Sequence, residues 1–378
     1  MRLESVSSDH FRNLQGSIEA GAGLNIFFGE NGQGKTNYLE AIHVLATSRS
    51  FRTSRLSETI RFGESVAMIG GRVRQSEGIV RELGVRLENG SRILTVNGKR
   101  ESLPRYSGEL STVLFNADVL EVVRGQPDAR RRFLDSGISS LHPPFIQIFS
   151  DFAKIIKQKN AVLQQAKERN AERARTVELL APWNEQLSAL AERIHKARMR
   201  FVDRLNGVLE QRLFGAEEIS VRYISSLEGK GDLDDYRTLI SERLLLRAEA
   251  EIYAGYSLIG PQRDELEVLF DGRDIRKFGS AGQQRSAFLL LLLATIEVFN
   301  ATRGEYPLFL LDDIDAELDY RRIAHLLEYL DGRTQTFVTT SKQSFVERFG
   351  TRAVVFGVRS GVAGQVTDQV SRPTPSAT

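Results

Sequence analysis

The chain contains no cysteine and only five histidines among its 378 residues. Without cysteine the protein can form no disulfide bond, no thiolate zinc site and no thiol nucleophile, and this composition is typical of a reducing compartment. The five histidines show no spacing typical of a metal site, so we interpret them as structural residues. The composition therefore argues against a zinc or thiol enzyme.

The sequence also lacks a hydrophobic run long enough to cross a bilayer. Its longest apolar stretch, AFLLLLLATIEVF at Ala287–Phe299, is interrupted by Thr295 and Glu297, and we predict that it forms a buried helix. The N-terminal residues MRLESVSSDHF contain no apolar signal region. We therefore expect a cytoplasmic protein without a membrane partner.

Positive and negative charges nearly balance, because the chain has 51 lysines and arginines and 49 acidic residues. The overall balance gives almost no long-range attraction to nucleic acid, so any such binding must depend on local clustering. One basic cluster falls among strand-like segments and is either a solvated sheet face or a DNA-binding surface. Its members are Arg72, Arg74, Arg81, Arg86, Arg92, Lys99, Arg100 and Arg105.

A phosphate-binding loop is the strongest motif present. Residues Gly29–Thr36 fit G-x-x-x-x-G-K-[ST] and lie between the apolar run LNIFF and the helix-like TNYLEAIHVLAT. Its glycines let backbone N–H groups turn toward phosphate, Lys35 can reach the β and γ phosphates, and Thr36 can hold Mg²⁺. The predicted ATP contacts are Gly29, Glu30, Asn31, Gly32, Gln33, Gly34, Lys35 and Thr36.

A second acidic motif, LFLLDD at Leu308–Asp313, fits the carboxylate partner of such a loop. Asp312 follows four apolar residues and would stand at the carboxyl end of a strand, where ligands bind in open α/β sheets. We predict that Asp312 joins Thr36 at Mg²⁺, directly or through water, and that Asp313 orients the attacking water. Lys35, Asp312 and Asp313 are thus the predicted catalytic residues, although two acids in sequence can also simply cap a turn.

A third motif, SAGQQR at Ser280–Arg285, resembles the signature motif of the ABC ATPases. Alone, Ser-x-Gly before a helix is an ordinary N-cap. The start of such a helix can also bind an anion through the serine hydroxyl and backbone N–H groups. It stands between the other two motifs, and IDAELD at Ile314–Asp319 follows like an ABC D-loop. In the ABC ATPases this motif approaches nucleotide from a second subunit, so the resemblance implies a head-to-tail dimer in which a second copy contacts ATP through Ser280, Gly282 and Gln283.

Alternating strand and helix signals outline the domains. Three strand candidates between Ser65 and Asn97 predict an antiparallel element, and the last third predicts strands at YSLIG, ELEVLFDG and YPLFLLDD. The alternation indicates a parallel sheet completed by both ends of the chain. We therefore predict an α/β P-loop ATPase head with a mixed sheet, flanking helices, an antiparallel β element and an inserted helical lobe, and the resemblance of its motifs implies the ABC/SMC type.

The lobe contains two helical stretches between Phe145 and Phe214, separated by a predicted break that ends at Pro182. Such arms form a short hairpin and cannot form a long coiled coil. The predicted boundaries are 1–115 for the N-terminal part of the head, 116–254 for the lobe with its hairpin at about 145–214, 255–370 for the C-terminal part of the head, and 371–378 for a disordered tail.

Several sequence blocks together resemble the RecF family of bacterial recombination mediators. Two of them, RRRFLD and GPQRDEL, are not general ABC features, so the resemblance is to this family in particular. The blocks, in order along the chain, are FRNL, GENGQGKTNYLEAI, SRSFRTSR, VLFNADVLEVVRGQPDARRRFLD, GPQRDELEV, SAGQQR and LLDDIDAELDYRR.

The resemblance implies an ATP-dependent DNA-binding protein that dimerises on ATP and hydrolyses it slowly, with ATP and Mg²⁺ as cofactors. It further implies work with RecO and RecR to place RecA at single-strand gaps beside duplex, and support of the SOS response. By position, Arg12 and Asn13 would lie against the nucleotide. Candidate DNA contacts are Arg52, Arg72, Arg74 and Arg81.

Some positions differ from the family pattern. Gln262 replaces a histidine and has no predicted role, and Asn116, in a block that differs from the usual SPED, is only a candidate for the Q-loop position. Thr339-Thr340 stand where ABC transporters have a switch histidine, and Asp313 is shorter than the transporter glutamate. Both differences predict slow hydrolysis.

Two alternative functions remain open. An ABC transport subunit would need a Q-loop glutamine, a switch histidine and a membrane partner. An SMC-like nuclease or its ATPase partner would need clustered metal-binding acids and histidines outside the P-loop site. The sequence contains none of these features in a recognisable pattern.

Overall fold

The computed structural model describes residues 1–75, 78–88, 90–116, 120–169, 172–212 and 218–366. The chain divides into two compact units, one formed by Met1–Ala117 with Gly304–Thr378 and the other by Asp118–Arg303. The predicted disordered tail, 371–378, lies outside the described residues.

Strands and helices follow one another along both units, and each kind is numbered in chain order. The strands are β1 (Arg2–Phe11), β2 (Leu14–Glu19), β3 (Leu24–Phe28), β4 (Val66–Arg74), β5 (Val80–Glu88), β6 (Ser91–Val96), β7 (Lys99–Arg100), β8 (Thr112–Phe115), β9 (Ile219–Ile224), β10 (Glu265–Phe270), β11 (Arg273–Asp274), β12 (Leu308–Leu311), β13 (Thr336–Thr340), β14 (Ala353–Arg359) and β15 (Val362–Gln365). The helices are α1 (Lys35–Thr47), α2 (Leu103–Tyr106), α3 (Glu121–Arg124), α4 (Pro127–Leu141), α5 (Phe145–Glu168), α6 (Arg173–Leu209), α7 (Tyr236–Leu246), α8 (Ala248–Ala254), α9 (Ile275–Phe278), α10 (Ala281–Arg303), α11 (Ile314–Glu317), α12 (Tyr320–Leu330) and α13 (Gln343–Phe349).

The first unit contains the predicted sheet built from both ends of the chain. Its strand order is β15-β14-β3-β13-β12-β8, parallel from β14 to β8, with β15 antiparallel at one edge. All residues of β12 and β13 are buried, as expected for parallel strands covered on both faces. This sheet confirms the predicted α/β class and places β3 beside β13, and β13 beside β12.

An antiparallel sheet of order β2-β1-β4-β5-β6-β7 completes this unit. The predicted strands β4, β5 and β6 are confirmed, and Asn97 and Gly98, with φ of 48° and 74°, form a two-residue turn into β7. Helix α1 contacts strands of both sheets and is buried on most of its circumference. The helix that follows the P-loop is therefore held in the core of the unit.

The second unit is mainly helical and contains the hairpin of α5 and α6. The predicted break at Pro182 is wrong, because α6 begins at Arg173 and carries Pro182 inside it. An interior proline removes one backbone hydrogen bond, and α6 compensates by packing against α5, α7 and α10. At 24 and 37 residues the arms are about 36 and 55 Å long, so they remain a compact lobe.

The segment 255–303 differs from its predicted place. YSLIG is not a strand, since Ser257 and Leu258 instead bond the buried carboxylate of Glu251 at 3.0 and 2.7 Å. Strand β10 pairs antiparallel with β9 and with β11 in a separate three-stranded sheet. The whole segment falls in the second unit, because α10 packs on α3, α4 and α6, whereas the sequence pattern predicts it in the head.

Helix α10 carries the apolar run noted in the sequence. The helix extends beyond that run to 23 residues, so, contrary to the expectation from the sequence, it is by length and composition the one helix among the described residues that could cross a membrane. However, 72% of its most apolar stretch is buried inside the protein. The prediction of a buried core helix is confirmed.

The two blocks RRRFLD and GPQRDEL meet in the second unit. Arg130 binds both carboxylate oxygens of Glu265, at 2.6 and 2.8 Å, and Arg131 donates to the backbone oxygen of Asp264 at 2.8 Å. Arg198 of α6 binds both oxygens of Asp135, at 2.9 and 3.1 Å, and also contacts Asp264 at 3.4 Å. Two arginines of the RRR triplet are thus engaged in ion pairs or backbone contacts within the unit.

Replacing Arg198 by methionine should lower the free energy of unfolding by about 3–5 kcal/mol, because two carboxylates would lose their buried cationic partner. Urea titration of the full chain would measure this. Lys196→Met on the same helix removes an exposed pair with Glu192 and should cost less than about 1 kcal/mol. Equal effects of the two substitutions would contradict a structural function for this network.

Candidate nucleotide site

The loop between β3 and α1 has the backbone that its glycines allow. Gly32 and Gly34 have φ of 81° and 109°, in the left-handed region. A Cβ at Gly34 would lie 2.8 Å from the Asn13 amide oxygen, and one at Gly29 would lie 2.5 Å from the backbone oxygen of Val358. Substitution of these glycines would therefore displace the loop from its supports.

Lys35 folds back over this loop. Its Nζ donates to the backbone oxygens of Gly29 and Glu30, both at 2.8 Å, and the residue is 8% exposed. Burial lowers the pKa of its ammonium group, and the carboxylates of Asp313 and Asp312 oppose that shift. The ammonium group already stands at the loop and can exchange carbonyl oxygens for phosphate oxygens.

The two acidic residues after β12 meet the start of α1. Thr36 Oγ1 donates to Asp312 Oδ1 at 2.9 Å, and Thr339 Oγ1, at the end of β13, donates to the same oxygen at 2.7 Å. The backbone N–H of Asp313 donates to Thr339 Oγ1 at 2.8 Å. The parallel order of β3, β13 and β12 brings these three carboxyl ends to one edge of the sheet.

Asp313 differs from its neighbour in backbone and environment. Its φ of 49° places it in the left-handed region, where a non-glycine residue is uncommon. Burial raises the pKa of its carboxyl group, the nearby Asp315 and Asp312 raise it further, and Lys35 lowers it. The group is therefore a better proton acceptor than an exposed aspartate.

The oxygen atoms of Thr36 and Asp312 suit Mg²⁺, which prefers hard oxygen ligands and keeps several waters and phosphate oxygens. Across the described ranges no group of three or more His, Cys, Asp or Glu side chains could hold a metal ion. A protein contribution of one hydroxyl and one carboxylate fits an ion shared with a nucleotide.

A cavity of about 410 Å³ joins these groups. Both motifs contribute to one site, which is large enough for the phosphate end of a nucleotide. Its lining consists of Asn31, Gly32, Gly34, Lys35, Thr36, Asn37, Arg52, Asp312, Asp313 and Thr339.

Arg12 and Asn13, predicted to contact the nucleotide, and Arg52, predicted to contact DNA, have different surroundings. Arg12 is not among the lining residues and binds both oxygens of Glu40 at 3.0 and 2.8 Å, and its contact with the nucleotide remains a prediction. Asn13 supports the loop, since it accepts from the Asn37 amide at 2.7 Å. Arg52, which the sequence suggests as a DNA contact, lines the cavity and donates to Asn37 at 2.7 Å.

Sequence reasoning misses Asn37, Arg52 and Thr339 as parts of this site. In the sequence Thr339 stands out only as the replacement of a switch histidine, although its place at the end of a buried strand beside β12 is a usable signal. Asn37 and Arg52 carry no such signal, because their position depends on how the segment after α1 folds back.

The signature segment begins α10 in the second unit. Ser280 Oγ accepts from the Gln283 N–H at 3.2 Å, and the Gln283 side-chain oxygen accepts from the Ser280 N–H at 2.8 Å. The side chains of Ser280 and Gln283 thus form a reciprocal capping box within their own chain. Ser280 and Gly282 are exposed, and their contact with the nucleotide of a second copy remains a prediction.

The remaining candidates have local partners. Arg72 and Arg74 both bind Glu4, and Arg81 lies 3.7 Å from Glu109. Asn116 is buried at the end of β8, and Gln262 donates to the backbone oxygen of Ile259 at 2.9 Å. The DNA contacts predicted at the three arginines therefore involve charges that are already paired, and they remain predictions.

The chain is similar to known proteins over nearly its whole length. Residues 2–364 match the family described as RecF/RecN/SMC N terminal domain. The DNA replication and repair protein RecF of Enterococcus faecalis is 33% identical over 96% of this chain and 98% of its own length. That of Bacillus subtilis is 34% identical over 96% of this chain and 99% of its own length. The chain belongs to the RecF family.

Solved RecF structures match the whole fold. A structure of the recombination mediator protein RecF with ATP in the RecFOR pathway has a TM-score of 0.86 and 29% identity, and covers 97% of both chains. An SMC head bound to part of ScpA, at 17% identity and a TM-score of 0.53, shares the fold alone. These likenesses confirm the predicted ABC/SMC-type RecF head.

Replacing Lys35 by alanine should weaken ATP binding by about tenfold to a hundredfold, because hydrogen bonds to charged groups contribute about 1.5–3 kcal/mol. Calorimetric titration with ATP and Mg²⁺ would measure the loss. Lys99→Ala, which removes an exposed lysine of β7, is the matched control. Unchanged affinity in Lys35→Ala would show that the lysine does not reach the phosphates.

Proposed function

We propose that this RecF-family chain is an ATP-dependent DNA-binding protein of replication and recombinational repair, and that slow ATP hydrolysis resets it. The observation that carries the proposal is the meeting of Lys35, Thr36 and Asp312 around one cavity, supported by family membership. The proposed cofactors are ATP and Mg²⁺. Mg²⁺ held by Thr36 and Asp312 would neutralise charge on the β and γ phosphates.

Different residues of the site bind the phosphates and take part in ATP hydrolysis. Backbone N–H groups of the loop and the start of α1 hold phosphate, and Lys35 compensates its charge. Asp313, with a raised pKa, is placed to orient a water and accept its proton. Thr339 is committed to Asp312 and to the Asp313 N–H, and a hydroxyl cannot take up a proton as imidazole does. Slow turnover follows from these properties.

The same cavity is proposed to be half of a complete site. In this proposal a second copy contributes Ser280, Gly282 and Gln283 from the exposed start of α10, where N–H groups carry partial positive charge. ATP then acts as the bridge of a head-to-tail homodimer, and hydrolysis reopens it. DNA binding by the dimer is the output of this cycle.

The proposed partners follow from the family resemblance. They are duplex DNA and junctions of duplex with single strand, RecO and RecR as direct partners, and RecA indirectly at single-strand gaps. Support of the SOS response belongs to the same proposal. The absence of cysteine agrees with action in the cytoplasm, where the chromosome lies.

The function would be tested by measuring binding to gapped duplex and molar mass by light scattering, each with and without ATP. We expect tighter DNA binding with ATP and a mass that rises from 42.4 kDa to twice that value. Mg²⁺-ATP with Lys35→Ala is the control. Equal DNA binding and an unchanged monomer in both conditions would contradict the proposal.

Ser280→Arg tests the second half of the site. The substitution should leave ATP binding within about twofold of the wild type, because Ser280 does not line the nucleotide cavity of its own chain, and should abolish the ATP-dependent rise in mass. Loss of the N-cap costs only about 1 kcal/mol. Ser150→Arg, at an exposed position of α5, is the matched control and should dimerise. A Ser280→Arg protein that dimerises normally would remove the residue from the interface.

A further inference from the structure

A second cavity, of about 580 Å³, lies in the first unit apart from the lining of the nucleotide cavity. Two parts of the chain form it: residues 48–50 and 53–57, which follow α1, and residues 87–88 with 90–92, where β5 turns into β6. We call it the arginine pocket, because Arg49, Arg55 and Arg92 all line it.

The positive charge of this pocket is not neutralised by the protein. Within the described ranges, Arg49, Arg55 and Arg92 form no ion pair with a carboxylate, and Arg92 donates to the backbone oxygen of Ser48 at 2.8 Å. The acidic lining residue Glu88 lies 3.3 Å from Arg86, a different arginine. In contrast, Arg72 and Arg74 share Glu4.

Two of these arginines also repel each other. Burial lowers the pKa of the Arg92 guanidinium, and the charge of Arg49 lowers it further. All three arginines of the pocket are nevertheless exposed, so an anion from solution can reach their guanidinium groups and offset this repulsion. The pocket is therefore poised for a negative ligand.

Hydroxyl groups add neutral donors around the charges. The lining includes Ser54 and Ser57, which are exposed, and Ser48, which is fully buried. Ser48 Oγ has no hydrogen-bond partner in the described structure. Guanidinium forks bind phosphate oxygens as well as carboxylates, and hydroxyls around them add donors in further directions.

The same chain segment also reaches the nucleotide cavity. Ser50, in the pocket lining, donates to Glu40 at 2.6 Å, and Arg52, two residues on, lines the nucleotide cavity and binds Asn37. A phosphate-bearing ligand in the pocket would thus lie beside a segment that contacts both sites.

We propose that the arginine pocket binds backbone phosphates of a nucleic-acid strand. The inference rests on the proposed function, because DNA is the polyanion that this protein is proposed to hold. The same groups suit a free phosphate ion, so the experiment separates the two sources. Contacts of this kind give affinity without sequence preference.

The test compares the full-length wild type with Arg49→Gln/Arg55→Gln in binding to two duplexes of unrelated sequence, with ATP and Mg²⁺, across a range of salt concentrations. We expect the variant to bind at least about tenfold more weakly, and its log–log salt slope to be shallower by about 1 to 2, since each lost phosphate contact removes about 0.9. Both duplexes should be affected alike.

The control Arg100→Gln/Arg105→Gln removes the same charge from exposed positions outside the pocket and should keep the wild-type slope. ATP titration and thermal unfolding of each variant establish that the fold is intact. Arg49→Lys/Arg55→Lys keeps both positive charges and should therefore show most of the wild-type salt slope. This variant tests the pocket even if the glutamine variant does not fold.

The outcomes distinguish this inference from the proposed function. If the wild type and the pocket variant bind DNA with the same salt slope and affinity, the inference about the pocket is wrong and the proposed function still stands. A wild type that binds no DNA in any nucleotide state overturns both. In a second arm, saturable binding of inorganic phosphate that the pocket variant loses, with DNA binding unaltered, would assign the pocket to a free anion and also overturn the proposal.

Discussion

One carboxylate oxygen connects the parts of the nucleotide cavity. Asp312 Oδ1 accepts hydroxyl bonds from Thr36, at the start of α1, and from Thr339, at the end of β13. The carboxyl ends of two adjacent strands, β12 and β13, are thereby joined to the start of α1 at one edge of the sheet. Because α1 is buried between two sheets, the loop cannot shift without disturbing the core. The start of α1 and Asp312 are therefore already in contact before a ligand arrives.

The second unit depends on charge in a different way. Its buried arginines, Arg130 and Arg198, each bind a carboxylate with two hydrogen bonds, and they link α4 and α6 to β10 and the turn before it. A buried ion pair contributes little net stability but strongly penalises any arrangement that separates its members. The blocks RRRFLD and GPQRDEL, which distinguish the family in the sequence, thus specify a packing arrangement.

Local patterns in the sequence are enough to predict the sheet, the loop and both acidic residues. They do not predict contacts between residues that are distant in the sequence. The first group follows from periodicity or spacing over a few residues, such as the apolar run before Asp312. Pro182 predicts a helix boundary that the structure does not have, because the packing of α6 outweighs the loss of one backbone hydrogen bond. YSLIG predicts a strand that is absent, because its backbone and hydroxyl donors bind the buried carboxylate of Glu251. Arg52 and Thr339 join the cavity through folding of segments far apart in sequence. The charges of the arginine pocket are similarly hidden, because a count of arginines does not reveal which of them have acidic partners.

Glu40 is fully buried and accepts from Arg12, Ser50 and Arg52, the last at 3.5 Å. A carboxylate offers about four acceptor positions, so these donors nearly fill it. When one donor turns to another partner, an acceptor position is vacated in the interior, where it is costly to leave empty. Arg12, Ser50 and Arg52 are therefore tied to one buried carboxylate, which links the first strand to the segment that contacts both cavities.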